Sequence, residues 1–160
     1  MLAASNITSP PVPETVVTDL PGVNVYPIEQ MPVKGLLSAS QPTSHGGDIL
    51  IDNGLALTER RVTLMYELKH IIDGSHTHAV EGRCADFAMN VLMPAEWVQA
   101  DWQAGSRNDS DLAERYQVPA EAVSYRLHTL GLRQHPGRWL NRAYCQWQPH
   151  TTLNSKRVNQ

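Results

Sequence analysis

The stretch TERRVTLMYELKHIIDG, from Thr58 to Gly74, constrains this chain more than any other. Leu64, Leu68 and Ile71 recur at helical spacing, and Val62, Met65 and Ile72 repeat the pattern beside them. A helix apolar over so much of its girth must be covered on more than one side, so it belongs at the centre of a fold. Thr58 is a candidate N-cap with Glu59 in the first turn. Asp73-Gly74 supplies the stop, because glycine takes the left-handed conformation without a Cβ penalty. The remainder of a 160-residue chain, a length that suits one compact domain, has to enclose this helix.

Two short strands are expected ahead of it. GVNVYPIE (Gly22 to Glu29) alternates Val23 and Val25 before Pro27, which places it at a sheet edge. Ile49 to Ile51 forms the second, after a turn-rich Ser/Gly/Pro stretch and before Asn53-Gly54. Behind the central helix, a second helix spans about Val80 to Leu92, and Pro94 suits the opening of a third, PAEWVQADW. Ser110 is expected to cap DLAERYQ, and VPAEAVSYRLHTLGL forms a last helix ending at Gly131. The expected class is α+β: a small β-sheet packed on a helical bundle that carries the buried helix. The Ser/Pro-rich residues 1–10 read as a flexible arm, 11–133 as the domain and 134–160 as a basic C-terminal tail.

The central helix also carries chemistry. Side chains at i and i+4 stack on one helix face and can hold one metal ion, and a glutamate next to the first can face the metal-bound water. Those positions are Tyr66, Glu67 and His70. A zinc ion lowers the pKa of its water to about 7 and needs a third protein ligand from elsewhere. Glu81, at the start of the following helix, is the natural candidate. YELKH alone has little specificity; its context supplies the rest.

Arg61 to Pro94 resembles the ImmA/IrrE family of zincin-type metallopeptidases from bacteria and phages. The hallmark of that family is an R-F-T-L-x-H-E-x-x-H helix, then E-x-x-[AC]-N-x-F-A, then L-[LM]-P. This chain has RVTLMYELKH, EGRCADFA and VLMP in the same order. The resemblance implies Glu67 as general base, His70 as second histidine ligand, Glu81 as acidic ligand, and Zn2+ as cofactor. Cys84, Phe87, Ala88 and Met93-Pro94 match packing positions. Two strands ahead and a helical segment behind extend the likeness over Pro11 to Arg133. The family implies a partner too: a DNA-binding repressor, whose cleavage or displacement releases phage, mobile-element or stress genes.

This chain departs from the pattern at Ala85, where the family shows asparagine, and at Tyr66, where it shows the first histidine ligand. A phenol with a pKa near 10 must lose a proton to bind zinc well, whereas imidazole is available neutral. Three readings stay open. The fold persists as a pseudoenzyme that binds the family's partner; Tyr66 is an introduced, inactivating substitution; or another ligand replaces the lost one. For the last, GSHTH offers His76 and His78 just after the helix stop.

Charge and cysteine usage narrow the setting. Residues 1–132 hold all sixteen acids and eight of the thirteen Lys/Arg, while residues 133–160 hold five Lys/Arg and no acid. The basic tail carries Trp139, Tyr144 and Trp147, so a nucleic-acid reading exists for it, against the plainer one of a partly packed, solvated extension. DLAERYQVPAEAVSYRLHTLGL has a helix-turn-helix outline, but its acids oppose its few arginines and it reads as a packing unit. Direct nucleic-acid binding is not expected. Two cysteines, no apolar run long enough to span a bilayer and no signal-like start fit a cytoplasmic protein of a bacterial or phage-infected cell.

Overall fold

Three strands precede the buried helix where two were expected. The structure, a computed structural model, describes residues 6–74 and 78–134, with the side chains of residues 78–81 outside that description. In chain order it has α1 (Thr15–Thr18), β1 (Val23–Ile28), β2 (Ser38–Thr43), β3 (Gly46–Asp52), α2 (Leu57–Asp73), α3 (His78–Leu92), α4 (Ala95–Gln103), α5 (Asp109–Tyr116) and α6 (Ala120–Thr129). The class is α+β, as expected. The sheet order is β1-β3-β2, with β1 parallel and β2 antiparallel to β3. The unforeseen strand is β2, SASQPT, whose serines and proline resemble loop chemistry. Its proline fits an edge strand, where a missing N–H leaves no ladder bond unmade.

One face of the sheet is core. Gly47, Ile49 and Ile51 of β3 are buried, and Val23 and Val25 of β1 pack against the same core. Ser38 and Ser40 lie opposite Ile51 and Ile49, so β2 presents two hydroxyls on this face. Helix α2 covers it. Residues Val62 through Leu68 are all buried, as the girth of apolar positions required. The helix starts one residue ahead of the expected cap: Ala56 is the N-cap, and Glu59 takes its backbone N–H at 3.3 Å. The stop is as expected, with Gly74 at φ 61°.

How closely α2 approaches the sheet is set at Gly47. A Cβ there would lie 2.7 and 2.8 Å from the side chain of Ile71 and 2.9 Å from the carbonyl oxygen of Gln41. Only hydrogen fits between helix and strand.

Helix α3 closes the other side of α2, and α4 to α6 extend the core through Val98, Leu112, Tyr116, Val123 and Leu127. Leu112 and Tyr116 of α5, and Val123 and Leu127 of α6, are thus core residues, which makes this pair a packing unit. Buried Arg126 donates from Nε to the Met93 carbonyl at 2.9 Å, tying α6 to the α3–α4 turn. Burial lowers its pKa, and Asp86 and Glu96 oppose that shift. Asp101 of α4 accepts from Arg115 Nε at 2.7 Å and from the Tyr116 hydroxyl at 2.8 Å. Burial, with Asp101 next, raises the Tyr116 pKa, so this phenol stays a donor at every physiological pH. Pro94 opens α4 as expected, but Asn108, not Ser110, caps α5, its Oδ1 accepting from the Ser110 N–H at 2.9 Å.

Gly47→Ala is expected to destabilise the domain by about 1–3 kcal/mol, the usual cost of overpacking a close contact. A urea unfolding midpoint that falls with an unchanged slope checks it; an unchanged midpoint would mean that Ile71 moves aside freely.

Candidate metal centre and its neighbours

One turn of α2 places the candidate residues, Tyr66 and Glu67 being adjacent and His70 following them by a turn. Tyr66, Glu67 and His70 are 7 %, 2 % and 4 % exposed, so none is part of a solvated face. Spacing of i and i+4 sets Tyr66 and His70 on one face, and their rings meet edge to face with centroids 5.0 Å apart at 68°. From α3, fully buried Cys84 packs on Tyr66, with Ala85 beside it. These are two of the family-pattern positions on α3, and here they enclose the phenol.

Glu67 turns to the sheet. Its Oε1 accepts from Ser38 Oγ at 2.6 Å and its Oε2 from Ser40 Oγ at 2.5 Å. A buried carboxylate requires partners, and these two hydroxyls supply them. Each oxygen thus has a donor, and the carboxylate plane is fixed against β2. Neither serine was among the expected site residues. The available signal was S-A-S, two hydroxyls at alternate positions ahead of a buried glutamate, but it acquires meaning only once β2 is known to be a strand.

Of the other candidates, Glu81 and His78 lie on α3 by backbone, with side chains outside the described residues, and His76 falls outside them entirely. Farther along α2, Lys69 donates to Asp73 at 2.6 Å and lies 5.8 Å from the centre of the Phe87 ring on α3. That hydrogen bond holds the Asp73 pKa below its usual value.

The profile of the IrrE N-terminal-like domain, the M78 peptidases, matches residues 19–128. The chain belongs to this family. It therefore has a metallopeptidase-like fold, from a family that is generally zinc-dependent. No curated protein matches the chain. Among the described residues no helix is long and apolar enough to cross a membrane.

Whether the residues fit zinc is decided by the donor set. A catalytic zinc takes three protein ligands and, at its open position, would activate a water for attack on a carbonyl. Here α2 offers one imidazole, His70, with the Tyr66 phenol one turn before it. Among the described residues no group of three His, Cys, Asp or Glu converges as a metal site would require. Of the family's ligand positions only those of Tyr66 and His70 have described side chains; that of Glu81 lies outside the described residues.

Ser38→Ala is expected to cost about 1–3 kcal/mol, because it removes a buried donor from a charged acceptor. In a Glu67→Ala background the same change should cost much less. A double-mutant cycle from denaturant melts reads the difference as a coupling energy; additive losses would show that the serine acts by packing alone.

Proposed function

We propose that this chain is an ImmA/IrrE-type regulator with a degenerate metal centre, which acts on a repressor-like DNA-binding protein by holding it instead of hydrolysing it. Such binding would relieve repression of phage, mobile-element or stress genes in the cytoplasm of a bacterial or phage-infected cell. The supporting observation is Tyr66: a buried phenol occupies the position of the first histidine ligand, packed between His70 and Cys84. Replacing a neutral imidazole by a protonated phenol leaves the motif with two strong donors, His70 and Glu81, against the three that catalytic zinc needs. The partner class rests on the family resemblance.

A second reading, a working metallo-endopeptidase, has one observation in its favour. Glu67 keeps the general-base position and is held in a fixed orientation by Ser38 and Ser40. On that reading Tyr66, or one of His76 and His78, completes the ligand set with His70 and Glu81, and Glu67 takes the proton of the attacking water.

Tyr66→His separates the two. The i, i+4 spacing to His70 already suits one ion, so the variant should bind Zn2+ tightly and the unaltered chain weakly. A ligand confined to the folded state adds RT ln(1 + [L]/Kd), about 4 kcal/mol when free zinc is roughly a thousandfold above Kd. Thermal melts with and without added zinc should therefore diverge for the histidine variant and nearly coincide for the unaltered chain. Tight zinc binding by the unaltered chain, with no gain in the variant, would favour the peptidase.

A further inference from the structure

The outer face of the sheet is the least explained surface of the domain. An antiparallel or mixed sheet open to water normally alternates apolar inward and polar outward. Here the register aligns Tyr26, Leu50 and Ala39 in one row across β1, β3 and β2, on the side away from α2, with Ile28 beside them. None of these four is buried, and Tyr26 is 45 % exposed. Leu50 and Ile28 are half-buried, yet neither belongs to the core cluster or packs against it. An apolar row at outward positions is the kind of departure that marks a binding surface.

Its electrostatics select the occupant. Asp48 and Asp52 flank Leu50 on the central strand and face the same way. Asp48 accepts from the Asn24 side chain at 2.9 Å and Asp52 from the Gly54 N–H at 2.7 Å, and neither forms an ion pair among the described residues. A carboxylate retains further acceptor capacity after one such bond. The face therefore suits a polypeptide with apolar side chains, cations and no acids. A second copy of the same face would set aspartate against aspartate.

The chain itself contains such a polypeptide. Residues 135–160, outside the described structure, include Arg138, Arg142, Lys156 and Arg157, no Asp or Glu, and the aromatics Trp139, Tyr144 and Trp147. Extended, a segment of this length spans roughly 80 Å, well beyond the width of a domain whose radius of gyration is about 14 Å. Every part of the surface is within reach. Tethering also supplies an effective concentration of the order of millimolar, so a contact weak between separate molecules suffices within one. We propose that residues 135–160 dock on the outer face of the sheet, with cations against Asp48 and Asp52 and aromatic side chains over Tyr26 and Leu50. The inference is independent of what the metal centre does.

The test uses the full chain with Tyr26→p-benzoylphenylalanine, photolysed at high and low protein concentration and mapped by peptide mass spectrometry. Expected are cross-links from position 26 to peptides within 135–160, formed inside one molecule with a yield that does not change on dilution. Reversing the face with Asp48→Lys and Asp52→Lys should lower that yield severalfold, as should high salt, which screens exposed pairs. If the reversed face fails to melt cooperatively, Arg138→Glu with Arg142→Glu makes the same test without touching the sheet. Cross-links only between copies, no cross-link to 135–160, or a yield indifferent to either reversal would each overturn the proposal.

Discussion

A carboxylate buried beneath a sheet has to be met by donors, and Glu67 organises its surroundings through that requirement. It lies in the middle of a helix whose neighbours from Val62 to Leu68 are all withdrawn from water. Unpaired, an ionised carboxylate in such a place would cost several kcal/mol. Two hydroxyls from alternate positions of β2 meet it, which fixes the depth and register at which that strand crosses α2. Apolar burial of Ile49 and Ile51 against the same helix supplies the adhesion, and the hydroxyl pair supplies the alignment. Gly47 then sets the spacing by leaving no room for a side chain under Ile71.

Elements announced by local chemistry were legible in the sequence. The apolar girth of α2, its glycine stop and the proline before α4 each act within a turn or two of the residue that signals them. Strand β2 was not legible, because SASQPT has no large apolar residue and only Thr43 is β-branched, and its stabilising partner lies 29 residues from Ser38 and 27 from Ser40. Helix α1, four residues long, is too short to show a period, yet Val16 and Val17 are core. The cap of α5 was misplaced by two residues because Asn108 and Ser110 are both good caps, and only the backbone distinguishes them. At the site, spacing placed Tyr66 and His70 on one helix face and set Glu67 toward a metal-bound water, while the bonds from Ser38 and Ser40 to Glu67 could be read only from the fold.

The fold that this chain shares with its family is held by apolar packing and a few polar ties. The contacts that define this domain are helix on sheet, helix on helix, and a few polar ties such as Arg126 to the Met93 carbonyl. The Tyr66 phenol fills space, packs on Cys84 and meets the His70 ring, and so helps to close the interior between α2 and α3.

The burial of Cys84 has a consequence of its own. A thiol reacts with alkylating reagents as the exposed thiolate, and this one is shielded between α3 and Tyr66 of α2. Its modification must await separation of the two helices, so the rate of labelling becomes the product of an opening equilibrium and an intrinsic chemical rate. Cys84 is thereby a built-in clock for breathing of the helix pair. Any partner or ion that clasps α2 to α3 would slow that clock without touching the sulfur.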